Sequence, residues 1–312
     1  MRPILHHYPS SPFAEKARLM LGFKGLDWTS VQIPPVMPKP DVVALTGGYR
    51  RTPIMQIGAD IYCDTALIAR QLERLKPEPS LFPAAAAGLA PMVAQWADWT
   101  LFWAAVPYTL QPAGLAHVFS GMPPEAVKAF GEDRVTFRKP VPLMRPAEAI
   151  QNLTTYLGYL EMLLGDDRRH LLGAAVSIAD FSVYHCLWFV SRGGPLASIL
   201  DGYPRLGSWF ARMKQIGHGV SDQMDSKAAV QLAANSRPAP ASPQEFIETH
   251  RLPFGAAVTV AAADYGTDPV GGELIISRSD EIGVRRTDPR AGTVVVHFPR
   301  VGFEIRRVEQ GT

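Results

Sequence analysis

The 312 residues read as three units in series: an α/β domain over 1–77, an all-α helical bundle over 86–235, and a small all-β, barrel-like module over 243–312. Three observations predict this. Strand and helix spacings of apolar residues alternate up to residue 76, and from 86 to 235 only helical spacing is convincing. Beyond the proline-rich "SRPAPASP" (236–243) the chain turns to short β-rich runs separated by Gly, Pro and Asp. The length exceeds that of one ordinary domain.

In order, "PILHHY" (3–8) is a first strand. Phe13, Ala17, Leu19, Met20, Leu21 and Phe23 recur at helical spacing, with "KG" at 24–25 as the stop. "DWTSVQI" is a second strand, "PPVMPKPD" a proline-rich loop, and "TPIMQIG" with "ADIYCD" a hairpin around Gly58-Ala59-Asp60. "DTALIARQLERL" is a helix capped at Asp64 or Thr65, with Leu67, Ile68, Leu72 and Leu75 on its apolar face. The order β-α-β-(loop)-β-β-α is that of a thioredoxin-like half-domain. "KPEPSLFPAAAAG" is the first linker. Helical runs come next at "LAPMVAQWADWTLFWAAV", "PAEAIQNLTTYLGYLEMLLG", "SIADFSVYHCLWFVS" and "YPRLGSWFARMKQIG", the makings of a bundle. The short second linker predicts that the β module packs on the helical bundle.

Composition excludes several roles. A net charge of +2, and nine Arg against ten acidic residues with no Lys from Arg237 onward, give no nucleic-acid footprint. Two cysteines, Cys63 and Cys186, are too few for a disulfide scaffold or a zinc site, so no metal is expected. "MRPILHHYP" has no apolar leader and "VYHCLWFV" is too short to span a bilayer, which predicts a cytoplasmic protein without membrane contact.

The chemistry gathers near the start. Ser11 before Pro12 is a natural helix N-cap, and Ser10 adds a second hydroxyl. In "RRTPIMQI", a cis Thr52–Pro53 bond would turn the backbone of Ile54 outward to pair with an extended peptide. Asp64-Thr65 opens another helix: its N–H groups suit a carboxylate, and the Asp64 side chain suits an ammonium. A small peptide with an amino-acid-like head fits these features.

"SPFAEKARLMLGFKGL" resembles the first helix of glutathione transferases, closest to the "CPFAER" pattern of omega enzymes and the "SPF" pattern of plant tau enzymes. "TPI" stands at their cis-proline motif and "DTALIARQLE" at their "ES.AI..YL". "HLLGAAVSIADFSVYHCLW" is similar to the family's helical-domain signature, in which Ser177 and Asp180 are structural. The resemblance runs from residue 1 to about 220 and leaves the β module without a counterpart. It implies the glutathione transferase fold, glutathione as co-substrate, and a homodimer.

It also implies roles. Ser11 donates to the glutathione sulfur, with Ser10 as rival and Tyr8 as a more distant one. Pro53 and Ile54 pair the cysteinyl unit, Asp64 and Thr65 hold the γ-glutamyl head, and Arg51 or Lys39 meets the glycine carboxylate. Asp64-Thr65 in place of Glu-Ser and Arg51 in place of Lys are departures from the pattern. A serine, unlike the omega cysteine, cannot form a mixed disulfide, which favours conjugation, isomerisation, peroxide reduction or lyase and dehalogenase chemistry. Phe13, Trp103 and Tyr108 are candidates for a small apolar electrophile's pocket, with Arg145 an unmarked addition. Trp96, Trp99 and Trp103 form a helical stripe whose ordinary reading is core or dimer interface. The histidines at 6, 7, 185 and 297 show no ligand spacing and read as structural or exposed. The competing reading is a non-catalytic binding protein of the same fold, using the β module to contact a partner.

Overall fold

The structure, a computed structural model, describes residues 1–139, 141–247 and 250–308. The first domain contains β1 (Ile4–His7), α1 (Pro12–Phe23), β2 (Trp28–Gln32), α2 (Pro40–Thr46), β3 (Ile54–Ile57), β4 (Asp60–Cys63) and α3 (Thr65–Leu75). β1 runs parallel to β2 and antiparallel to β3, and β3 pairs antiparallel with β4. The proline-rich loop is interrupted by α2, which the sequence reading missed. Pro40 occupies its first turn, and Gly47 ends it at φ 79°, a left-handed cap.

The bundle comprises α4 (Leu89–Trp96), α5 (Phe102–Thr109), α6 (Pro112–Val118), α7 (Pro124–Phe137), α8 (Pro146–Leu163), α9 (Ile178–Ser191) and α10 (Pro204–Gln215). A π turn over Ala97–Leu101 joins α4 to α5. Asp180 confirms its structural role: its carboxylate accepts from the N–H groups of Ser177 and Leu171 and from Trp209 Nε1, each at 2.9 Å.

The chain then returns to the sheet. β5 (Ser221–Gln223) pairs parallel with β2, and α11 (Ser226–Ala234) packs on α2. The expectation of a strand-free stretch to residue 235 is corrected here. Gly22 permits the return, because a Cβ there would lie 2.1 Å from the Gly217 carbonyl oxygen.

The C-terminal strands are β6 (Ala257–Ala262), β7 (Val270–Ser277), β8 (Glu281–Asp288), β9 (Gly292–Pro299) and β10 (Phe303–Arg307). Instead of the expected barrel they form an antiparallel sheet that extends the sheet of the first domain. β9 pairs parallel with β4 (Asp60 to Val295, Ile61 to Val296, Tyr62 to His297), giving the order β10-β6-β7-β8-β9-β4-β3-β1-β2-β5 among the described residues. The module docks edge-on to β4, which the sequence did not suggest, and it also meets the bundle as expected, where Tyr265 packs against Trp99, Trp103 and Phe137. An edge strand offers unpaired N–H and C=O groups that another strand readily takes up.

One apolar core joins α1 and α3 to the bundle; Leu5, Met20, Leu72, Leu153 and Phe181 belong to it. A second fuses the opposite sheet face with α11 and the module, through Val31, Leu45, Ile54, Val230, Val284 and Phe298.

Candidate functional site

Helix α1 begins at Pro12 and is capped by Ser11, whose Oγ accepts the Ala14 N–H at 3.2 Å. Ser11 is only 2% exposed. The cap uses an oxygen lone pair, and the hydroxyl proton has no acceptor among the described residues. Ser10 lies half-buried in the preceding turn.

A cavity of about 560 Å³ opens between the first domain, the bundle and the module. Phe13, Arg51, Pro53, Asp64 and Thr65 line it, and the Thr52–Pro53 bond is cis. Ser10, Ser11, Ile54, Lys39, Trp103 and Tyr108 stand outside its lining. Ile54 lies in a central strand between His6 and Cys63, flanked on both sides, so it offers no free edge to a peptide. Thr52, two residues earlier, is the one on the wall.

Tyr108 points into the bundle, where its hydroxyl donates to Leu196 O at 2.7 Å. The π turn accounts for this. One extra residue rotates the downstream helix by about 100°, so the stripe divides. Trp96 meets Tyr156, whereas Trp99 lines the cavity and Trp103 packs edge-on against Tyr265 behind it. Arg145 is solvent-exposed and paired with Glu148.

Asp64 holds a φ of 73° and caps α3, accepting from Ala66 N–H at 2.9 Å. Burial pushes its carboxyl up, and the Ala66 N–H, Arg51 and Lys16 offset only part of that. Beneath it lies a network invisible in the sequence pattern. Lys16 Nζ donates to Thr65 Oγ1 at 3.2 Å and to Asp98 Oδ2 at 2.6 Å, and Asp98 Oδ1 lies 2.9 Å from His185 Nε2. Burial would raise Asp98, but Lys16 and His185 hold its carboxyl below the usual range. Burial lowers His185, leaving a neutral ring that donates to Asp98. Because Lys16 donates to Thr65 Oγ1, the Thr65 hydroxyl proton is left for a ligand. The available signal was a lysine five residues after the cap, in a helix that also carries Glu15 and Arg18.

Lys39 is 3% exposed; among the described residues its Nζ reaches Arg50 O at 3.4 Å and Thr52 Oγ1 at 3.3 Å and lies 5.8 Å from the Tyr8 ring centre. No carboxylate among the described residues lies within ion-pair distance of it. Burial, with Arg134 nearby, lowers it to about 7. Arg51 is committed instead: Nη2 donates to Asp264 Oδ1 and to Tyr265 O, and its guanidinium stacks 4.0 Å from the Tyr265 ring centre. Asp264, Tyr265 and Phe303 bring the module onto the cavity wall, a contribution with no sequence signal.

Among the described residues no helix is long and apolar enough to cross a membrane. Residues 5–80 match the family model of the glutathione S-transferase N-terminal domain, and residues 145–212 that of its C-terminal domain. A GST-like protein from Pseudomonas syringae has a similar structure, with 42% identity, a TM-score of 0.82 and 98% of this chain against 99% of that one. A glutathione S-transferase from Rhodospirillum rubrum F11 shares the fold over 68% of this chain and 87% of its own, at 23% identity and TM-score 0.52. Glutathione S-transferase I bound with lactoylglutathione does so over 69% and 98%, at 17% identity and TM-score 0.52. A search of curated proteins found no match. With both domains matched and a relative of that identity along nearly its whole length, the chain belongs to the glutathione S-transferase family.

Proposed function

We propose that this is a glutathione-dependent transferase in which the tripeptide lies along Pro53 with its γ-glutamyl head at Asp64 and Thr65. One observation carries the reading: a single cavity is lined by the cis-proline, the Asp64-capped start of α3 and Phe13 from the head of α1. The ligand's ammonium would relieve the raised Asp64 carboxyl. Its α-carboxylate would take N–H groups of the first α3 turn and the Thr65 hydroxyl. Lys39, a buried cation lacking a carboxylate, suits the glycine carboxylate better than Arg51, which Asp264 already holds.

Ser11 would donate its free hydroxyl proton to the sulfur. A thiol near 8.5 moved to about 6.5 needs roughly 2.7 kcal/mol. A hydrogen bond to a charged acceptor contributes about 1.5–3 kcal/mol and a helix N-terminus about 0.3–1 kcal/mol, which suffices without a metal or general base. The thiolate then attacks an electrophilic carbon, and the leaving group departs with its electron pair. A cytoplasmic two-fold dimer accompanies this reading.

The 2% exposure of Ser11 favours a second reading, a non-catalytic binding protein of the same fold. Retention on glutathione-agarose followed by a 1-chloro-2,4-dinitrobenzene assay separates the two. Retention with turnover supports the transferase, and retention without turnover supports the binding protein.

A further inference from the structure

We propose that Tyr265, delivered by the C-terminal strands, is a specificity-determining residue that holds the flat aromatic part of the second substrate. The inference rests on the transferase reading of the cavity. Three turns of the module reach that cavity, at Asp264–Tyr265, Ser279–Asp280 and Val301–Phe303. The first is the most closely built. Asp264 Oδ1 accepts the Tyr265 N–H at 2.8 Å and also takes Arg51. Gly266 donates to Phe137 O at 2.8 Å, at φ 55°, where a Cβ would lie 2.4 Å from the Phe137 ring. The phenol ring is thereby held 6.3 Å from Trp99 at 30°, and nearly perpendicular to Trp103 and Phe137 at 5.5 and 5.4 Å.

Packing alone would explain an aromatic side chain here, but not its polar end. Tyr265 is half-buried, yet its hydroxyl bonds to none of the described residues. Tyr265 lines the cavity, so a bound group can take up this hydroxyl as its partner. Burial pushes the phenol up to about 12, so it remains a donor at neutral pH. An aromatic ligand bearing an oxygen acceptor satisfies ring and hydroxyl together. With a nitroaryl halide, the thiolate sulfur forms a C–S bond and halide leaves with its electron pair. Negative charge passes through the nitro oxygens during addition, where Tyr265 O–H stabilises it and keeps its proton.

The test is titration calorimetry of the full chain with glutathione and with S-(2,4-dinitrophenyl)glutathione. Wild type should bind the conjugate at least about tenfold more tightly than glutathione. Tyr265→Ala should cut that ratio to about threefold or less, and Tyr265→Phe should give an intermediate value. If Tyr265→Ala melts out, Tyr265→Leu is read by the same ratio. A ratio unchanged by removal of the ring overturns the proposal. If wild type binds neither tripeptide, the transferase reading fails by itself, and quenching of tryptophan fluorescence by 2,4-dinitrophenol decides the Tyr265 question. Saturable quenching weakened about tenfold without the ring sustains the proposal; quenching indifferent to the substitution overturns it.

Discussion

In the proposed reading, Lys39 and Ser11 would divide two tasks that one short peptide imposes, holding an anion and ionising a sulfur. Lys39 is lowered to about 7, whereas a carboxylate beside it would favour its charged form. Binding then takes up a proton: affinity is full below about pH 7 and falls by up to about tenfold per unit above it. Calorimetry with S-methylglutathione, which has no thiol proton, should show this slope in wild type and not in Lys39→Met. Ser11→Ala should lower kcat/KM by roughly 10- to 100-fold and cost about 1 kcal/mol of stability through the lost cap; steady-state kinetics and urea unfolding read the two. Asp98→Ala would leave Lys16 buried without its carboxylate, at a cost of about 3 kcal/mol, read by the same unfolding assay. Ser11, Pro53, Asp64 and Thr65 were legible in the sequence because caps and prolines act through their immediate neighbours. The Lys16–Asp98–His185 chain was not, since its members are separated by 82 and 87 residues and meet only after folding.

At the scale of elements, the join between β4 and β9 is fastened by His297. Its Nδ1 lies 2.7 Å from Glu281 Oε1 and its Nε2 3.0 Å from Asp60 Oδ1, and Arg74 on α3 also holds Glu281 at 2.7 Å. Burial alone would lower the imidazole, but the two carboxylates outweigh it and hold the ring above its ordinary value. Burial would likewise raise Glu281, yet His297 and Arg74 bring it down to about 2. A raised folded value makes the His297 contribution full below about 6.5 and lost as pH rises through the elevated value. Glu281 contributes above about 4.5 and fades as pH falls towards 2. The clasp is therefore strongest between roughly pH 4.5 and 6.5. Limited proteolysis should release the C-terminal strands faster as pH rises from neutrality, and faster still in His297→Ala; pH-independent release would contradict the clasp. The sequence shows a histidine with no ligand spacing, because both carboxylates come from other strands.

For the whole molecule, the strand–helix periods up to residue 76 and the four long helical runs were legible, since apolar residues recur through each at the spacing of its element. Several things were not, the helices α6, α7 and α11 among them. A two-turn helix such as α2 leaves too short a period among its prolines, the π turn shifts register without changing composition, and β5 has three exposed residues with no alternation at all. The docking of the module was also hidden, because an edge such as β4 selects a partner through backbone groups that every sequence carries. What the assembled molecule builds is one cavity with walls from all three units, and the central claim is that it binds glutathione as the thiolate. Ultraviolet titration of the bound thiol tests this most directly. The account predicts ionisation near 6.5 in wild type and a return towards 8.5 in Ser11→Ala, whereas a bound thiol titrating near 8.5 in both proteins would contradict it.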